Sequence, residues 1–261
     1  MSPIERAAEN WIKKHKKDWR DIARDLAERY GLGRKFFIHS HAPTVFYGSV
    51  NPNIVVIALN PKHSRNFKSK SQIFERAKEW DKMSNSEIVS GHKSWWSVMK
   101  EDRNKSRTTL SVVKILAAYF GEEFIGEIKG QKGITRWEFL EEKRVLFLDI
   151  LPFASKGTKF PGEMLAQLWQ HPQEFRRISP LPDMLEALNP GVPILAFGQP
   201  WKYVSWKTKA SDTCSIAAWG KKRIVVCPWA LTAIPMNSSS KKKEVGYEIK
   251  NSFDAKERRD L

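Results

Sequence analysis

Four short apolar runs organise the chain. They are Ile54-Val55-Val56-Ile57-Ala58-Leu59, Val145-Leu146-Phe147-Leu148-Asp149-Ile150, Val192-Pro193-Ile194-Leu195-Ala196-Phe197 and Arg223-Ile224-Val225-Val226-Cys227. Apolar residues sit at nearly every position in them instead of alternating with polar ones, the pattern of strands covered on both faces. Between the runs, apolar positions recur at helical spacing over about 71–80, 108–120, 136–143, 162–170, 181–188 and 200–206. Ile4, Ala7, Ala8, Trp11, Ile12, Trp19, Ile22, Leu26 and Tyr30 predict a helix over 4–30, with Gly31 as its stop. Residues 244–259 can form one more helix, whereas the polar stretches 84–106 and 120–135 read as loops. Strands separated by helices predict an α/β fold: a three-layer αβα sandwich with a central, mostly parallel four-stranded sheet. No internal repeat or long linker divides the sequence, so 1–261 reads as one domain with the 4–30 helix packed on its core.

Sheets of this kind bind ligands beyond the carboxyl ends of their strands. The residues just past each run therefore carry the candidate chemistry. They are Asn60-Pro61-Lys62-His63-Ser64, Leu151-Pro152-Phe153-Ala154-Ser155, Gly198-Gln199-Pro200-Trp201, and Pro228-Trp229 leading to Met236-Asn237-Ser238-Ser239-Ser240. Asn60 and Asp149 are the polar side chains at or just inside a strand end.

Charge narrows the partner. The chain has 45 Lys and Arg against 29 Asp and Glu, a net charge of +16. A basic surface gains affinity for phosphates by releasing their counterions, so a nucleic acid is the expected partner. At 41% hydrophobic, the chain has enough apolar content for a core. Cys214 and Cys227 are too few for a disulfide framework or a four-cysteine metal site, and read as reduced thiols of a cytoplasmic protein. No signal-peptide pattern and no run of about 18 apolar residues is present, so no membrane role is expected. Several of the eleven tryptophans sit beside basic residues, as in Lys93-Ser94-Trp95-Trp96 and Trp201-Lys202-Tyr203. Such rings suit either base stacking or the core. Asp149 has no acidic partner nearby in sequence to hold a divalent metal, and no cofactor is implied.

Taken in order, these segments resemble the uracil-DNA glycosylase superfamily, most nearly its single-strand-selective and mismatch-specific branches. Ile57-Ala58-Leu59-Asn60-Pro61 is similar to that family's first motif, a strand ending in Asn-Pro. Leu148-Asp149-Ile150-Leu151-Pro152-Phe153 is similar to its base-recognition strand, with pattern Asn-x-x-Pro. Leu195-Ala196-Phe197-Gly198-Gln199-Pro200-Trp201 resembles its third strand, running into a Gly-x-Pro turn. Met236-Asn237-Ser238-Ser239-Ser240, followed by Gly246-Tyr247, is similar to its last motif, a Ser-containing loop that enters the DNA groove. The resemblance spans roughly 50–255. It implies a monomeric glycosylase that needs no cofactor and flips a base out of double-stranded DNA into a pocket. Asn60 would position the water that attacks C1′, and His63 would orient that water or hold a phosphate. Phe67 or Phe153 would stack on the flipped ring. Lys62, Arg65, Asn237, Ser238, Ser239, Ser240, Lys241 and Lys242, with Lys243, would contact phosphates or the groove. No lysine stands at a clearly catalytic position, so hydrolysis to an abasic site is favoured over strand cleavage.

Two departures change the expectation. The family's last motif begins with His, where this chain has Pro235 or Met236. The base-recognition Asn is replaced by Asp149. An ionised carboxylate only accepts hydrogen bonds; it opposes O4 of uracil but accepts from the N4 amino group of cytosine. Excision of ordinary cytosine would destroy the host genome, which points to a modified cytosine. Within the superfamily the chain looks like the phage-defence type, which removes glucosylated hydroxymethylcytosine from viral DNA. Conventional excision of uracil or another deaminated base, and a non-catalytic DNA-binding module, are the alternatives.

Overall fold

The computed structural model describes residues 1–33, 36–58, 76–95, 97, 107–122, 124, 134–155, 162–198, 201, 204, 208–209, 214–227 and 239–257. Among them, seven strands form one mixed sheet. They are β1 (Tyr47–Gly48), β2 (Ile54–Ala58), β3 (Val145–Asp149), β4 (Ile194–Phe197), β5 (Thr208–Lys209), β6 (Ser215–Trp219) and β7 (Lys222–Cys227), in the order β1-β3-β2-β4-β7-β6-β5. The four apolar runs supply the four central strands, β3, β2, β4 and β7, and these are mutually parallel. The sheet is wider than the expected four strands. β1 pairs antiparallel with β3, β6 with β7, and β5 with β6. The added strands escape the apolar-run criterion because two have only two residues and β6 buries its side chains incompletely. Gly220, at φ +54, allows the tight β6–β7 reversal.

The helices are α1 (Pro3–His15), α2 (Trp19–Arg29), α3 (Ala77–Trp80), α4 (Asn85–Lys93), α5 (Arg107–Phe120), α6 (Arg136–Glu142), α7 (Gly162–Gln170), α8 (Pro172–Ile178), α9 (Leu181–Ala187) and α10 (Ser239–Glu257). Successive strand residues point to opposite faces, and each face has its own core. Val55, Ile57, Leu146, Leu148, Ile194, Ala196, Ile224 and Val226 join α1, α2, α7, α8 and α9. Ile54, Val56, Val145, Leu195, Phe197, Val225 and Cys227 join α5, α6 and α10. Helices therefore cover both faces of the sheet.

Three local expectations are corrected. The single helix over 4–30 is two helices, broken at residues 16–18. Asp18 supplies the break: its carbonyl starts the next helix by accepting from Asp21 and Ile22, while its carboxylate lies 3.3 Å from His15 Nδ1. The apolar spacing runs through this turn unchanged, which hides it from periodicity. The supposed loop 84–106 contains α4, started by a capping box in which Ser84 and Glu87 satisfy each other's backbone N–H. Ser239, Ser240, Lys241 and Lys242, expected in a loop, form the first turn of α10. That helix packs on α5 with Gly246 at the contact; a Cβ there would lie 2.5 Å from the Ile115 carbonyl oxygen and 2.6 Å from the Ala118 Cβ.

Candidate functional site

The carboxyl end of β3 builds the site. Leu146, Leu148 and Ile150 point to the α1/α2 side and are all buried. Val145, Phe147 and Asp149 point the other way, and along this row burial gives way: Val145 is buried, whereas Phe147 and Asp149 are half-buried. The neighbouring strands open at the same place. Ala58, paired with Asp149 in the parallel register, is half-buried, and so is Tyr47, paired with Phe147 across β1. The Ile150 N–H donates to the Ala58 carbonyl at 3.0 Å and fixes the two strand ends side by side. The uncovered patch on this face is thus Tyr47, Phe147, Ala58 and Asp149.

Asp149 makes no hydrogen bond or ion pair among the described residues. Part of its surface reaches solvent, but protein encloses the rest. Burial pushes its carboxyl up from 3.8 to about 7. Beside it the aromatic wall is held firmly. Tyr47 stacks on Trp95 with ring centroids 4.3 Å apart, and its hydroxyl is 2.8 Å from the Thr44 hydroxyl. Behind Tyr47 lies His92, fully buried on α4 with ring centroids 6.0 Å from Tyr47. His92 Nδ1–H donates to the Ile88 carbonyl at 2.8 Å, and Nε2 accepts from the Val45 N–H at 3.3 Å. That pairing fits the neutral ring, and burial pushes its pKa down from 6.5 to about 4.

The expected site residues fare differently. Asn60, Lys62, His63, Arg65, Phe67, Asn237 and Ser238 lie outside the described residues. Phe153 is corrected from base stacking to the core: it is 1% exposed and packs its ring on Trp19 and Phe37, with centroids at 6.4 and 5.6 Å. Trp201 is fully buried, and Trp95 is spent on Tyr47. On α10, Ser240 is exposed and Lys241 pairs with Glu244 at 2.6 Å. Lys242 is partly desolvated and close enough to Lys114 of α5 to be repelled by it, and both effects lower its pKa. The two thiols, Cys214 just before β6 and Cys227 on β7, are buried and not disulfide-bonded, with Sγ atoms 3.2 Å apart.

Sequence reasoning missed Tyr47 and Phe147. The signal for Phe147 was present: a residue two places before Asp149 on a strand shares its face. Tyr47 had none, because β1 is too short to show a pattern. No described helix is long and apolar enough to cross a membrane. Compared with known proteins, the chain matches no family model, no curated protein and no solved structure.

Proposed function

We propose that this chain is a DNA glycosylase with a uracil-DNA glycosylase-like αβα arrangement. It flips a modified cytosine, such as glucosylated hydroxymethylcytosine of phage DNA, from the duplex and hydrolyses its N-glycosidic bond to leave an abasic site. One observation carries the reading. The parallel register sets Ala58 beside Asp149 at the carboxyl ends of adjacent central strands, and Asn60 follows Ala58 by two residues of sequence. Two residues of chain reach at most about 7 Å. That closeness in chain and register supports the pairing of amide and carboxyl that the resemblance assigns to water and base.

The chemistry needs little more. As the bond breaks, positive charge develops on the sugar and negative charge on the base, and fixed dipoles aimed at these charges lower the barrier. Asn60 orients the water, since an oxocarbenium-like sugar needs a positioned nucleophile more than a strong base. Asp149 engages the base edge, and Tyr47 and Phe147 supply the apolar wall. The excess of basic side chains draws the duplex in.

The test is a panel of duplex oligonucleotides carrying different cytosine modifications or uracil, incubated with the protein and then cleaved with alkali. Abasic sites are expected at a modified cytosine. Asn60→Ala is expected to bind the same duplex while forming abasic sites at least about a hundredfold more slowly. Full activity of that variant rejects the mechanism, and binding without excision by the wild-type protein leaves a reader of modified DNA. Uracil excision is the second reading. The raised carboxyl of Asp149 admits it, because a protonated acid can donate to O4.

A further inference from the structure

We propose that Asp149 meets its ligand as a neutral carboxylic acid. Its O–H donates to one atom, and its carbonyl accepts from the next, along the edge of a planar heteroaromatic base laid beside Tyr47 and Phe147. This rests on the glycosylase reading above and specifies how the same site recognises its base.

The geometry argues for the acid form. A carboxylate at a strand end is ordinarily stabilised by a cation, a helix N-terminus or backbone N–H groups. Asp149 has none of these among the described residues. Its own strand offers Phe147 on the same face, β2 offers Ala58, and β1 offers Tyr47, whose hydroxyl is engaged with Thr44. The titratable group behind Tyr47, His92 on α4, is kept neutral by burial, which pushes its pKa down to about 4. Burial is what acts on the carboxyl, and it leaves about half the groups protonated near pH 7.

The acid form alters what can be recognised. A carboxylic acid presents one donor and one acceptor, the same pair as an amide. Cytosine offers an N3 acceptor beside an N4–H donor, and uracil an N3–H donor beside an O4 acceptor; the acid matches either. The carboxylate matches half of each and sets oxygen against the remaining acceptor, whether N3 or O4. The carboxyl at 149 therefore demands a paired donor–acceptor edge, and choice among pyrimidines passes to whatever surrounds C5. This revises the sequence argument, which weighed the anion alone.

Single-turnover abasic-site formation between pH 5.5 and 8.5, on the best substrate of the panel, tests the idea together with a 13C titration of the Asp149 carboxyl in the free protein. The wild-type rate is expected to fall toward tenfold per pH unit above about 7. Asp149→Asn, whose amide keeps the donor and acceptor at every pH, is expected to lose that decline and to exceed the wild-type rate at pH 8.5 by about thirtyfold. The carboxyl should titrate near 7. A wild-type rate that rises through pH 7 overturns the proposal, as does a folded Asp149→Asn protein that is inactive throughout. A titration midpoint near 4 removes the acid form whatever the activity. A midpoint near 7 with no abasic product from any oligonucleotide instead removes the glycosylase reading, and the proposed ligand with it.

Discussion

The two faces of β3 divide the work of the molecule between them. On one, Leu146, Leu148 and Ile150 remain buried to the very end of the strand, sealed by the layer that includes α1, α2 and α7 to α9. On the other, the row begins as core at Val145 and ends half-buried at Phe147 and Asp149, whose carboxyl has no partner among the described residues. The same six residues, Val145 to Ile150, thus present a closed face that holds the fold and a less covered face where we propose the ligand binds. Burial of the Asp149 carboxyl disfavours its charged form, and such a cost is what a functional residue in conflict with stability is expected to show.

The sharpest way to break this contrast is to truncate neighbouring residues on opposite faces. Leu148→Ala removes a side chain that is 1% exposed and is expected to cost about 2–5 kcal/mol in urea unfolding. Phe147→Ala loses a larger ring, but one only partly buried in the native state, so its stability cost should be the smaller of the two. Its excision or DNA affinity should suffer more than that of Leu148→Ala. Equal stability losses would show that the second face is as closed as the first.

Protonation gives the next effect. His92 titrates near 4 when folded and near 6.5 when free, so the stability it contributes is complete above pH 6.5 and is lost as pH falls toward 4. Asp149 runs the other way. Its folded value of about 7 lies above the free value of 3.8, so its contribution is complete below 3.8 and is lost as pH rises to about 7. Between about 4 and 6.5 the unfolded chain holds an extra histidine proton while the native state holds an extra carboxyl proton, and the two slopes oppose each other. Asp149→Asn should uncover the histidine slope, with stability falling by about 3 kcal/mol from pH 6.5 to 4. His92→Gln should uncover the opposite slope, with stability falling as pH rises from 4 to 7. Denaturant midpoints at half-unit pH steps measure both; unchanged slopes in both variants would contradict the assigned shifts.

The sequence made the central sheet legible because strands covered on both faces must be apolar throughout, and four runs of that kind became the four parallel strands. It made Asp149 legible for the opposite reason: a carboxyl closing an apolar run is out of keeping with a core. Phe153 shows the limit. Its distance from the strand end said nothing about direction, and Trp19, far away in sequence, claims its ring. His92 was hidden likewise, because its neutrality comes from burial, and its Nε2 partner, the Val45 N–H, is brought to it by the fold across 47 residues. The Ser-Ser-Lys-Lys stretch from 239 looked like a loop by composition, yet it is held in α10, whose later residues Val245 and Ile249 dock on the second face.

That docking provides the smallest of the effects, and it bears on the open face. Gly246 lets α10 approach α5 more closely than any residue with a Cβ could. Its would-be contacts are a backbone carbonyl, an alanine Cβ and a backbone nitrogen, none of which can swing aside as a long side chain would. Gly246→Ala should gain slightly from helix propensity. It should lose more by forcing the helices apart, with a net destabilisation of about 1–3 kcal/mol. Gly246→Ala should leave the α1/α2 side untouched, so amide exchange should quicken in α5 and α10 and stay unchanged in α1 and α9. Exchange that quickens uniformly would mean that the two faces unfold as one unit, and that the division drawn from β3 is local to that strand.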